Sequence, residues 1–346
     1  MKTNPVVDVF TTCPPSYDRS DANAYLKEVR DVARWSDEAG CKGMLVYTDN
    51  GMVDPWLLAQ IAIENTRALK PLVAVQPAYM HPYTVAKMVS TLGYLYGRGV
   101  CLNMVAGGFR NDLLALNDAT PHDRRYERLI EYTMIIQRLL GSPEPVTFEG
   151  KFYSVRQLTL KPALPLGLFP AITVSGSSPE GIAASRTLNA IPVRYPEPPE
   201  RGGLDEALPQ HPCGVRVGII ARKDEETAWR EAQLRFPPDR AGQITRGVAS
   251  KISDSVWHRQ LSELAAGTKG ARSTYWLEPF ESYKTNCPYL VGSYEAVAGE
   301  ITRYLEIGAS LFILDVPASE EDLEHIGAVF DRADLRARAS GAESNT

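Results

Sequence analysis

Asn103 is a primary amide at the end of the apolar run 100–105, and His122 and Tyr126 follow it, four residues apart, in PHDRRYERLIEYTMIIQRLL. Burying an amide is costly unless it is hydrogen-bonded. Asn103 therefore either bonds a neighbouring loop or presents donors and acceptors to a heteroaromatic ligand. The spacing of His122 and Tyr126 puts both on one helix face. That face either packs into the core or holds a ring or a phosphate. Downstream, ITVSGSSPEG reads as a strand, a small-residue turn and a helix start. Its backbone amides and the hydroxyls of Ser175, Ser177 and Ser178 converge on a helix N-terminus, which suits an anion. The bland alternative is an ordinary capped turn; Arg124 and Arg125, beside His122, tilt the balance slightly toward phosphate.

Acid–base and charge-bearing groups are few. His81 directly follows the third apolar run and is either a general acid or base or the cap of the helix that Pro82 opens. Alternation along the seventh run points Arg216 inward, where a guanidinium needs an anion: either a ligand or Asp315 on the eighth run. Arg194, on the sixth run, is a second candidate of that kind. No lysine stands at a run's end for Schiff-base chemistry. No clustered His/Asp/Glu set suggests a metallohydrolase, and no G-x-G-x-x-G follows a strand. This inventory fits a cofactor that brings its own reactivity.

The elements that must position these groups alternate regularly. Apolar, β-branched runs at 6–10, 43–48, 72–76, 100–105, 172–175, 190–194, 215–221 and 311–316 are separated by amphipathic segments. That alternation signals βα units and a parallel sheet. Eight such runs predict an α/β protein with a (β/α)8 TIM barrel, whose ligands bind at the carboxyl ends of the strands. Asp21, Asp54–Pro55, Pro82, Pro179 and Asp224 mark helix starts, and Gly40 a helix end. The Pro-, Glu- and Gly-rich stretch 196–212 is expected as a loop. Residues 237–292 form an extended insertion between the seventh and eighth strands, expected as a lid over the mouth. The reading is thus one domain over 1–336 and a polar tail, 337–346, expected to be unordered.

At 44% hydrophobic and 23% charged, the 346 residues suffice for one large core. A net charge of −5 argues against a nucleic-acid surface. No apolar run is long enough to span a bilayer and the start lacks a signal-peptide core, so no membrane partner and a cytoplasmic location are expected. The five cysteines are scattered, without a C-x-x-C pair, which favours neither a disulfide framework nor a zinc site.

Taken together, DPWLLA near Asp54, NMVAGG at Asn103, HDRRYER, FEGKFYSV and SGSSPEG resemble the bacterial luciferase-like flavin monooxygenases, closest to the alkanesulfonate monooxygenase group. The resemblance runs from about residue 6 to 330 and is strongest over 54–181. It implies a barrel with an extended insertion before the last strand, and a homodimer or homotetramer. The chemistry it implies is that of a two-component monooxygenase. A separate flavin reductase supplies reduced FMN, O2 adds to give a flavin (hydro)peroxide, and a small organic substrate is oxidised. By position, Tyr126, Ser177 and Ser178 would hold the FMN phosphate, with His122 and Ser175 beside them. Asn103 and its turn, Ala106 included, would meet the isoalloxazine.

Arg216 falls where the sulfonate enzymes carry an active-site arginine. The chain departs from them at Gly218 (histidine there), Met52 (cysteine), Val316 (tyrosine) and Ala106 (threonine). Met52 and Arg194 are then expected to face a different substrate, and His81 to supply an alternative acid or base alongside Arg216. Two other readings stay open: a deazaflavin-dependent hydride-transfer oxidoreductase of the same superfamily, and a flavin-binding relative without catalysis.

Overall fold

Strands buried on both faces read as near-continuous apolar runs, and the eight predicted runs become the eight staves of a closed barrel. The computed structural model describes residues 7–17, 19–107, 110–196, 212–240, 242, 261–262, 264 and 272–343. In chain order its first half comprises β1 (Asp8–Thr12), α1 (Ala22–Glu38), β2 (Gly43–Val46), α2 (Pro55–Glu64), β3 (Lys70–Val75), α3 (Pro82–Tyr96), β4 (Cys101–Val105), α4 (Arg110–Ala115), α5 (His122–Gly141), β5 (Val146–Glu149) and β6 (Ser154–Leu158). There follow β7 (Ile172–Ser175), α6 (Pro179–Thr187), β8 (Ile191–Arg194), β9 (Cys213–Arg222), α7 (Glu225–Arg235), β10 (Tyr275–Trp276), α8 (Glu278–Glu281), β11 (Tyr289–Ser293), α9 (Tyr294–Glu306), β12 (Ala309–Leu314) and α10 (Glu320–Glu343).

The barrel strands run parallel in the order β1-β2-β3-β4-β7-β8-β9-β12, and β12 returns to β1. The β8–β9 pairing, Val193 with Gly214 and Arg194 with Val215, completes the ring. Phe10, Leu45, Leu72, Cys101, Val193, Leu311 and Ile313 form the apolar interior. Asn103 and Asp315 lie two residues beyond Cys101 and Ile313 toward the carboxyl ends, and Arg216 is level with Ile313. Outward-facing Val215 and Val217 pack instead with residues of α9 and α10. Helix starts follow the sequence signals: Asp21 accepts from the amides of Asn23 and Ala24, and Asp54 from those of Trp56 and Leu57 ahead of α2. Asp224 caps α7 through the Thr227 amide.

Two features differ from expectation or extend it. The last helix continues through Glu343, past the point where the polar composition predicts an unordered tail. Ala, Arg and Glu, which dominate 337–343 and the turns before it, are strong helix formers that propagate an existing helix at little cost. The insertion, where described, adds a strand to the sheet. Its hairpin β10–β11 docks edge-on, β11 pairing in parallel with the upper half of β9 from Tyr289↔Gly218 to Ser293↔Arg222. β9 is therefore long, its lower half closing the barrel and its upper half carrying the inserted strand. Residues 197–211 of the loop expected at 196–212, and residues 241, 243–260, 263 and 265–271 of the insertion expected at 237–292, lie outside the described residues. Among the described residues no helix is long and apolar enough to cross a membrane.

The five cysteines are free thiols, four of them buried. Burial pushes the thiols of Cys13 and Cys287 up to about 12 and that of Cys101 to about 11. The fold thus favours the neutral thiol, whereas an unfolded cysteine ionises near ~8.5. The sign follows from linkage: this stabilisation is complete below the unfolded value and is lost as pH rises toward the folded ones. Buried tyrosines such as Tyr132 act in the same direction. The urea midpoint is expected to be lower at pH 10 than at pH 7.5, with the thiols inert to Ellman's reagent at pH 7.5. An unchanged midpoint would contradict this account.

Candidate active site

A small-residue turn after the fifth barrel strand builds a cradle. β7 ends at Ser175, Gly176 and Ser177 turn the chain, and Ser178 caps α6 by accepting from the Gly181 amide at 3.2 Å. Tyr126, on the first turns of α5, is 7% exposed and reaches across to this turn. Its hydroxyl is hydrogen-bonded to Ser178, and burial pushes the phenol up, so it stays protonated. Gly176 is required by that approach: a Cβ there would lie 2.4 Å from the Tyr126 oxygen. The His122 ring stands edge-on to Tyr126, with centroids 5.7 Å apart. The structure therefore brings His122, Tyr126, Ser177 and Ser178 to one helix N-terminus, a geometry suited to a phosphate.

The arginines expected to assist do something else. Arg125 is buried and spends its Nε on the Thr120 carbonyl (2.9 Å) and its Nη1 on that of Gly107 (3.1 Å). It fastens the turn after β4 to the start of α5. Arg124 faces outward, 3.9 Å from Glu127 and over the Phe152 ring. A charge near the cradle in sequence is thus not charge available to it.

Asn103 sits inside the barrel at 5% exposure, abreast of Ala74 on β3 and Thr173 on β7. Its Oδ1 accepts from Thr173 Oγ1 (2.8 Å) and Ser175 Oγ (2.9 Å). Both readings made from sequence thus apply at different atoms. The oxygen is satisfied by the neighbouring strand, and among the described residues no protein group accepts from Nδ2, which keeps two donors for a ligand. Ser175 serves this network rather than the helix cap. Ala106 is buried against the apolar layer at the strand's end.

Arg216 is a buried cation inside the barrel. Gly214, two residues before it, faces Val193 and Leu311 inside the barrel, so parity sends Arg216 inward as well. It is 4% exposed, and its Nε and Nη2 are buried without a hydrogen-bond partner. The guanidinium lies 4.7 Å over the ring of Tyr47, just beyond β2. Such stacking contributes ~2 kcal/mol when desolvated, against several for burying an ion without a counter-charge. The balance favours an anionic ligand. Asp315, the other partner weighed from sequence, is taken: its Oδ2 accepts from Thr285 Oγ1 (2.7 Å) and from the Tyr289 hydroxyl (2.8 Å). Burial, then the Asp315 charge, pushes the Tyr289 phenol well up, so it remains a donor.

The remaining predicted residues are dispersed. His81 caps α3, its Nδ1 accepting from the Tyr83 amide at 3.2 Å, while its ring meets Tyr153 edge-on. Its Nε2 is left to carry a proton. Met52 is half-buried in the loop after β2, beside a clasp in which Asn50 accepts from the Tyr79 hydroxyl and donates to the Asp112 carbonyl. Arg194 is not brought to the interior: Val193 points in, so Arg194 alternates outward beside Val215. Tyr47, Thr285 and Tyr289 are polar neighbours of the interior that sequence reasoning missed. Tyr47 has a legible signal, since it continues the inward parity of Leu45 on β2. Tyr289 and Thr285 have none, because the register of the insertion is a tertiary fact.

A family model described as luciferase-like monooxygenase matches residues 7–311. A monooxygenase from Niallia circulans named for 4-(γ-L-glutamylamino)butanoyl-[BtrI acyl-carrier protein] is 33% identical over 310 residues, covering 88% of this chain and 91% of that protein. Among solved structures, the oxygenating constituent of 3,6-diketocamphane monooxygenase from Pseudomonas putida, in complex with FMN, has a TM-score of 0.67 at 16% identity, over 95% of this chain and 98% of that one. An F420-dependent secondary alcohol dehydrogenase has a TM-score of 0.62 at 17% identity, over 94% and 99%.

The ring of Tyr289 occupies the space beside Gly218, where a Cβ would lie 2.3–2.5 Å from three ring carbons. Gly218→Ala must therefore displace a fully buried side chain. Overpacking of this sort costs ~1–3 kcal/mol, expected as a lower urea midpoint with an unchanged slope. A variant as stable as the parent would show that the ring yields freely.

Proposed function

We propose that this chain, which belongs to the luciferase-like monooxygenase family, oxidises a small organic substrate with O2 and reduced FMN delivered by a separate flavin reductase. Family membership makes it an oxidoreductase of the flavin-dependent monooxygenase kind; the flavin species, the reductase and the substrate are our reading. The observation that carries the reading is the cradle at Gly176, whose lack of a side chain lets the Tyr126 hydroxyl approach. Tyr126, Ser177 and Ser178 would hold the FMN phosphate, with His122 against Tyr126. Asn103 Nδ2 would donate to the ring system. Reduced FMN supplies the electrons that activate O2.

The protein's own groups then have distinct tasks. Arg216 would hold an anionic group of the substrate or stabilise negative charge that develops beside it, an effect strengthened by its dry surroundings. His81, with Nδ1 engaged by the Tyr83 amide, would exchange a proton only through Nε2. Met52 would border the substrate from the loop after β2. A homodimer or homotetramer, as the family resemblance implies, is the expected working form, and a cytoplasmic location is expected from the lack of a bilayer-length apolar run and of a signal-peptide core. A second reading, hydride transfer with a deazaflavin, draws support from the likeness to the F420-dependent dehydrogenase.

Anaerobic titration with reduced FMN, followed by mixing with oxygenated buffer, separates the two. Binding, with reoxidation slower than that of free flavin, is expected; Gly176→Ala should weaken the binding roughly tenfold. Failure to bind FMN, with tight binding of the deazaflavin, would decide for the second reading. His81→Asn keeps an efficient helix cap but cannot titrate. It is expected to retain the parent's stability and to lose turnover by roughly 10²-fold. Unchanged turnover with the substrate would remove His81 from the chemistry.

A further inference from the structure

Three strands stand abreast where the insertion meets the barrel. β11 pairs with β9 at Tyr289↔Gly218, and β12 pairs with β9 at Leu314↔Val217. Continuing that register by one residue puts Asp315 level with Gly218. Tyr289, Gly218 and Asp315 thus form a row with the glycine in the middle. Because Gly218 has no side chain, the Tyr289 ring lies across it and its hydroxyl reaches the Asp315 carboxylate. Thr285 donates to the same oxygen. One layer lower on β9, Arg216 shares the inward face.

Asp315 is the natural counter-charge for Arg216, one strand across and one layer up. Yet among the described residues Arg216 has neither an ion pair nor a hydrogen bond, and it turns across the barrel onto Tyr47. The other cation near this row, Arg235, does not compete for the carboxylate: it lies over the Tyr289 ring at 5.8 Å but bonds Asp322 (2.9 Å) and the Val316 carbonyl. Cys287, which feels both charges, is held as a neutral thiol chiefly by burial.

We infer that Tyr289 and Thr285 are positioning residues that hold Asp315 away from Arg216 and so keep the guanidinium available to an anionic group of the substrate. This rests on the role given to Arg216 above. Two hydroxyl donors satisfy the carboxylate without neutralising a cation. If a donor is lost, the carboxylate in this low-dielectric interior turns to the nearest free charge. Gly218 belongs to the device because any side chain there would separate phenol from carboxylate.

The test is calorimetric titration of inorganic sulfate into the full-length protein saturated with FMN, which fills the phosphate cradle. Arg216→Gln defines the Arg216-dependent part of the affinity. Tyr289→Phe is expected to weaken that part roughly tenfold, and Thr285→Val to weaken it less. Asp315→Asn should leave it near the parent value, and Tyr289→Phe with Asp315→Asn should restore it, circular dichroism confirming the fold in each case. A Tyr289→Phe protein that binds like the parent overturns the inference. So does a double variant as weak as Tyr289→Phe alone, because Tyr289 would then act through packing. Equal binding by the parent and Arg216→Gln removes the anion role itself, a result visible before Tyr289 is altered.

Discussion

Closure of the sheet between β8 and β9 is the constraint on which everything else depends. Once Val193 and Arg194 pair with Gly214 and Val215, the ring has an inside and an outside, and strand parity assigns every barrel side chain to one or the other. Asn103, Thr173 and Arg216 are delivered to a common interior by that assignment, and Arg194 is denied it. A shift of one residue would exchange the two sets, placing Val215 inside and Arg216 among the outer helices.

Inside the ring, polar groups divide by whether the protein satisfies them. Asn103 Oδ1 and Asp315 Oδ2 each accept two hydroxyl donors, so both acceptors are closed to other partners. Asn103 Nδ2 and the guanidinium of Arg216 are donors that keep capacity for something else. The interior thus satisfies its acceptors and leaves donors open, which suits an electron-rich, anionic ligand. The cradle at Gly176 repeats the theme with backbone amides and two serines at a helix start. In this site the tyrosines and the glycines are complementary: Gly176 admits Tyr126, and Gly218 admits Tyr289. A glycine that reads as an empty position in the sequence is, in the fold, the room for a phenol from elsewhere in the chain.

The insertion changes meaning in this light. Sequence reasoning expects a lid, and the described part is instead an added strand that shares backbone hydrogen bonds with β9. It supplies Thr285 and Tyr289 to the row next to Arg216, so its effect on the site is electrostatic as well as steric.

Much of this is legible in the sequence. Eight apolar runs, five helix-start signals and the strand–turn–helix pattern around Ser177 follow from local rules of burial, capping and turn chemistry, which neighbouring residues obey regardless of the rest of the chain. Alternation puts Arg216 on one face with Gly214 and Gly218, and closure of the barrel makes that face the inner one. What the sequence could not determine are the partners. Arg125 looked like a ligand-binding charge until two carbonyls claimed it, and Asp315 looked like a mate for Arg216 until two hydroxyls from the insertion did the same. Periodicity tells which side chains share a face. Only tertiary structure tells what each meets there, because a hydrogen bond depends on ångström distances between segments far apart in the chain, as for the Tyr275 hydroxyl and the Pro196 carbonyl, 79 residues apart.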